Sequence, residues 1–112
     1  MDKTINLIET QIKKFIESIR PPVEIRDKVD YGYIFEQNTL ELYEIRPKWD
    51  NQDEKIKSPF AKTRFVKIQG IWKIYWMRAS GKWESYEPNS EVKSINDFFK
   101  VIIEDKFGCF FG

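Results

Sequence analysis

The chain has 112 residues, 41% of them hydrophobic and 16% aromatic, with 19 basic and 18 acidic side chains, one cysteine and no histidine. That length and apolar content fit a single domain, residues 1–112, with its own core, and exclude a disordered chain. The lack of histidine removes the commonest zinc ligand and general base, one cysteine excludes an internal disulfide framework, and no apolar run is long enough for a membrane helix.

The first element is an amphipathic helix over residues 4–19, with Ile5, Ile8, Ile12, Phe15 or Ile16, and Ile19 on one stripe. Thr4 or Asp2 can cap it, and Pro21-Pro22 ends it. Residues 30–46 alternate as a hairpin about Gln37-Asn38. That register sets Phe35 against Leu40 and Tyr33 against Leu42 on a core face, with Ile34, Glu41 and Tyr43 behind. The polar stretch from Pro47 to Pro59 reads as a surface loop carrying Trp49.

Residues 61–87 read as a three-stranded meander with two-residue turns at Gln69-Gly70 and Ser80-Gly81. Those turns put Phe65, Trp72, Ile74, Trp76 and Trp83 on the core face, and Lys62, Arg64, Lys73, Tyr75 and Tyr86 on the opposite face. A second helix follows over residues 91–105, capped by Asn89 or Ser90, with Val92, Ile95, Phe98 or Phe99, and Ile102 turned inward. The apolar tail from Cys109 to Gly112 is expected to dock on the sheet, Cys109 packing as a small hydrophobe. The expected fold is therefore α+β: a five-stranded antiparallel sheet built of hairpins, flanked by an N-terminal and a C-terminal helix.

Charge is unevenly placed along this plan. Residues 55–83 hold eight basic side chains and no acidic one, while the other 83 residues sum to −7. Lys62, Arg64 and Lys73 with Tyr75 and Tyr86 combine phosphate-binding cations and stacking rings, the pairing that single-stranded nucleic-acid binders use. The same residues can instead be a snorkelling, salt-bridged sheet face. Trp49 is a further possible contact residue. Glu44 and Arg46 read as a structural ion pair at a strand end. The catalytic alternative is a carboxylate–Mg²⁺ site from Asp30, Glu44 and Lys62. No phosphate loop or nucleotide-cofactor motif occurs, so no cofactor is expected. The readings in order are a non-enzymatic domain acting through protein contacts, a nucleic-acid-binding sheet face, and a carboxylate–metal hydrolase or nuclease. With no signal sequence in view, a cytoplasmic location is expected.

Several segments carry a resemblance. They are Arg20-Pro21-Pro22, Tyr43-Glu44-Ile45-Arg46-Pro47, Ala61-Lys62-Thr63-Arg64-Phe65, the run from Trp72 to Arg78, the run from Lys82 to Pro88, and Asp105 to Gly112. In type, order and spacing they resemble DUF3024, a family of small bacterial proteins of unknown function. The resemblance implies a compact domain and brings no catalytic residue, cofactor or substrate.

Overall fold

The computed structural model describes residues 3–111, with side chains from residue 7 onward. The expected caps Asp2 and Thr4, and the stripe residue Ile5, lie outside the described side chains. Helix α1 spans Lys3–Ile19 and α2 spans Ile95–Glu104. Between them run β1 (Asp30–Glu36), β2 (Thr39–Pro47), β3 (Lys55–Val66), β4 (Ile71–Met77), β5 (Trp83–Ser85) and β6 (Glu91–Val92). Neighbours along β1-β2-β3-β4-β5 pair antiparallel, and β6 pairs with β4 at Trp72 and Lys73. The sheet therefore has six strands where five are expected, because a two-residue strand carries too little pattern to read.

The β1–β2 hairpin follows the expected register, Phe35 opposite Leu40 and Tyr33 opposite Leu42. Gln37 and Asn38 both take positive φ, 51° and 62°, which is the geometry of a two-residue hairpin turn matching strand twist. The stretch expected as a loop from Pro47 to Pro59 is mostly strand: β2 continues to Pro47, β3 begins at Lys55, and only residues 48–54 connect them. Residues 55–59 are all exposed, so no alternation marks them. Between Leu42 opposite Ala61 and Tyr43 opposite Pro59, Phe60 is an extra residue on β3. This bulge follows Pro59, which has no N–H to give to a ladder.

The two meander turns differ in a way that matters. Val66 pairs with Ile71, so the first turn has four residues rather than two. A shift of two leaves every side chain on its expected face. Met77 pairs with Trp83, so the second turn spans Arg78–Lys82, closed by Arg78 N–H donating to Lys82 O at 2.9 Å. That is a shift of one, and it exchanges the faces. Trp83 moves out of the core to the open face, while Tyr86 moves into the core beside Phe110, ring centroids 4.9 Å apart.

Helix α2 begins at Ile95, later than expected. Ser94 is its N-cap, its Oγ accepting from Asp97 N–H at 3.1 Å, while the Ser90 carbonyl accepts from Ile74 N–H instead. Ile12, Phe15 and Ile16 of α1 and Ile95, Phe98, Phe99 and Ile102 of α2 pack over Leu40, Leu42, Ala61, Trp72 and Ile74. Phe15 and Phe99 stack at 4.2 Å. Past the end of α2, Asp105 takes a left-handed backbone conformation, and its carboxylate accepts from the Phe110 and Phe111 N–H groups at 3.0 and 2.8 Å. That clamp seats the apolar tail. At the other end, Arg20 grips Asp30 through two bonds of 2.9 Å, bridging the Pro21-Pro22 break and tying α1 to β1.

Candidate functional site

All six buried strand residues, Leu40, Leu42, Ala61, Thr63, Trp72 and Ile74, belong to the face under the helices. Strand alternation puts their neighbours on the other face, where no described residue is buried. Lys62, Arg64, Lys73 and Tyr75 stand there together: Lys62 is opposite Tyr75 and Arg64 opposite Lys73 across the β3–β4 pair. Tyr86, expected with them, does not. Trp83 takes its place, for the reason given by the five-residue turn.

The centre of this open face is a cation between two rings. Lys62 Nζ lies 4.8 Å from the Tyr75 ring centroid and 5.0 Å from that of Trp83. Such contacts contribute about 0.5–1 kcal/mol at exposed sites. A second pair lies toward β1, where Lys57 Nζ is 5.0 Å from the Tyr43 ring. That ring lies close over Gly32, and a Cβ added at Gly32 would sit 2.7 Å from its Cε2. Glycine is what allows the close approach.

Arg64 and Lys73 are like charges directly opposite each other, which destabilises a sheet. Among the described residues, no carboxylate forms an ion pair with Lys62, Arg64 or Lys73. Carboxylates do share the face: Glu41 is in register with Lys62, Glu91 with Lys73, and Glu36 ends β1. Trp49 is 93% exposed but stands apart, in the connection beyond Pro47, roughly 20 Å along β3 from Lys62.

The other candidate residues sit elsewhere. Arg46 Nε donates to Glu44 Oε1 at 2.5 Å, and Nη2 reaches Oε2 at 3.4 Å. Glu44 lies on the helix side of the sheet and lines a cleft of about 180 Å³ with Tyr31, Ser58, Phe60 and the tail residues Phe110 and Phe111. Lys62 is on the opposite face, and Asp30 is held by Arg20, whose hydrogen bonds keep its carboxyl below the usual carboxylate range. The three residues of the carboxylate–metal reading are thus not brought together. Among the described residues no group of three or more metal-binding side chains converges. Burial, then the nearby Asp105 and Glu84, push the Cys109 thiol up and away from thiolate.

The model of the DUF3024 family, a domain of unknown function, matches residues 1–112, the whole chain. The chain belongs to that family. No curated protein and no solved structure matches it. Five of the six segments that carried the resemblance fall into two places in this DUF3024 fold, and Arg20-Pro21-Pro22 lies at the junction of α1 and β1. Those from Ala61 to Phe65, Trp72 to Arg78 and Lys82 to Pro88 supply β3, β4 and β5, and with them the Lys62, Tyr75 and Trp83 cluster. Tyr43 to Pro47 and Asp105 to Phe111 meet at the Glu44 cleft.

Trp83, Tyr43 and Lys57 are the site residues that sequence reasoning missed. Alternation puts Tyr43 on this face, but its partner Lys57 lies in a stretch with no strand pattern, so nothing in the sequence pairs the two. Trp83 hinged on the length of one turn, and Gly81 marks that turn without fixing how many residues it has.

Proposed function

We propose that this DUF3024 protein is a non-catalytic binding domain that holds a partner protein on the open face of its sheet. One observation carries the reading: Lys62 set between Tyr75 and Trp83 on a face that no helix covers. The cluster lies among Arg64, Met77 and Tyr43. Tyr, Trp, Arg and Met are the side chains enriched in protein interfaces and their hot spots. The charges favour a protein over a polyanion. Lys57, Lys62, Arg64 and Lys73 alternate with Glu36, Glu41 and Glu91, so a partner bearing both signs finds complements across the face, whereas a phosphate chain meets three carboxylates.

A photo-crosslinking residue at Ser85, beside Trp83, tests this in the native cell. The expected result is one dominant cross-linked protein, lost in Trp83→Ala and Arg64→Glu and kept in Lys13→Glu on the exposed side of α1. With purified partner, Trp83→Ala should weaken binding by about 2 kcal/mol. Cross-links unaffected by Trp83→Ala would overturn the proposal.

The like-charged Arg64–Lys73 pair favours a second reading, single-stranded nucleic acid with bases on Tyr75 and Trp83. It calls for oligonucleotide affinity that falls steeply with salt, with Lys73→Ala lowering the slope by roughly 0.7. Cross-linking to nucleic acid rather than protein would replace the first reading with this one.

A further inference from the structure

We infer that a second, separate site lies at the C-terminal end of α2: a pocket for a small organic ammonium ion that also carries a hydrogen-bond acceptor, an amino amide being the simplest example. Tyr86 is the observation that carries it. The residue is 3% exposed, and its ring is held against Phe110. Its hydroxyl makes no hydrogen bond among the described residues, yet no sealed, unpartnered polar atom occurs. The hydroxyl is therefore open to solvent, and Tyr86 lines a pocket of about 350 Å³. That volume is within the ~300–1,000 Å³ of small-molecule sites. A phenol hydroxyl with no protein partner beside such a space can exchange water for a ligand's acceptor.

The walls state the rest of the chemistry. Pro88, Val101 and Phe107 give apolar contact, and Asn89 adds one amide. Glu104, the last residue of α2, lines the same pocket. The last carbonyls of the ten-residue α2 add the partial negative charge of a helix C-terminus. Burial first, then the nearby Cys109, Asp105 and Glu104, raise the Tyr86 hydroxyl, so it stays protonated and donates. The Asp105 carboxylate is already engaged by the Phe110 and Phe111 N–H groups, which leaves Glu104 to meet a ligand cation. Lys106 is the opposing charge. Its Nζ is 3.8 Å from Glu104 and its side chain is 72% exposed, so an incoming ammonium displaces a loosely held, solvated arm. None of these residues belongs to the sheet-face cluster, and the site stands or falls apart from it.

Amide NMR of the full chain titrated with L-phenylalaninamide at about pH 6, where its amino group is protonated, tests the site. L-phenylalanine adds a carboxylate and 3-phenylpropanamide lacks the ammonium. Expected are saturable shifts at Asn89, Val101 and Phe107, tightest for phenylalaninamide. Tyr86→Phe keeps the ring packing and should weaken that binding roughly fivefold, the worth of one hydrogen bond. Glu104→Gln should weaken phenylalaninamide while leaving 3-phenylpropanamide unchanged. No saturable shift up to about 10 mM, equal affinity for all three probes, or unchanged binding in Tyr86→Phe would each overturn the inference.

Discussion

The two faces of this sheet are made from the same strands and obey different rules. On the helix side, Leu40, Leu42, Ala61, Trp72 and Ile74 are buried under Phe15, Phe98 and Phe99, and the one buried polar residue there, Thr63, donates its hydroxyl to Lys73 O at 2.7 Å. On the other side, rings stay half-buried and cations lie over them, and Arg64 faces Lys73 without an ion pair. One face has its polar groups satisfied and its apolar groups out of water. The other keeps a like-charge opposition that packing alone gives no reason to retain. Stability is therefore concentrated in the first face, the proposal assigns recognition to the second, and substitutions should separate the two.

The largest separation comes from removing one aromatic ring from each side. Phe98 is fully buried between the helices and the sheet, so Phe98→Ala leaves a cavity and should cost about 3–5 kcal/mol. Trp83→Ala removes a larger ring from the open face and should cost about 1 kcal/mol or less, the lost cation–π contact and partial burial. Urea unfolding followed by fluorescence or circular dichroism measures both. Equal losses would mean that the open face is part of the stabilising core.

How much of this was legible follows from turn arithmetic and pattern length. The β1–β2 hairpin was readable because Tyr33, Phe35, Leu40 and Leu42 alternate on both sides of a turn whose Asn38 accepts positive φ. Lys62, Arg64, Lys73 and Tyr75 were placed on one face correctly although their turn is four residues long, because an even error preserves alternation. The five-residue turn before β5 made an odd error, so Trp83 and Tyr86 were exchanged. The start of β3 was invisible because residues 55–59 are exposed on both faces, and β6 because two residues define no period. Ser94 caps α2 in place of the expected Asn89 or Ser90, because the Ser90 carbonyl belongs to the sheet through Ile74.

A smaller effect tests what holds the covered face closed. The Arg20–Asp30 pair fastens the end of α1 to the start of β1, with the Asp30 side chain only 17% exposed. Asp30→Asn keeps the shape and loses the charge-assisted bonds, at about 1–2 kcal/mol near neutral pH. The sign of the pH dependence follows from the lowered Asp30 carboxyl. Its contribution is complete above the unfolded value of about 3.9, and it fades as pH falls through that value toward the lower folded one. The gap between wild type and Asp30→Asn should therefore be constant from about pH 7 to 5 and narrow below about pH 4. A gap that stays constant through the acid range would show that Asp30 gains nothing from its charge. Trp83→Ala, with no titrating group removed, should show no such narrowing.

The smallest effect has the opposite sign and is the sharpest test of the contrast. Arg64 opposes Lys73 across β3 and β4, and like charges in that position cost about 0.2–1 kcal/mol. Arg64→Glu turns the repulsion into a cross-strand ion pair beside an aromatic cluster, and should stabilise the fold by a few tenths of a kcal/mol up to about 1 kcal/mol. The gain should shrink as salt is raised, since Arg64 is exposed and its pair is screened. The same substitution removes a cation from the proposed partner surface, so on that proposal a more stable protein should bind less well. Thr39 is the other cross-strand neighbour of Arg64 and carries no charge to compensate either way. Chemical denaturation at two salt concentrations, run beside the cross-linking assay at Ser85, reads both outcomes. A loss of stability in Arg64→Glu would mean that Arg64 is held by packing along its stem. Its opposition to Lys73 would then be a by-product of that packing rather than a mark of recognition.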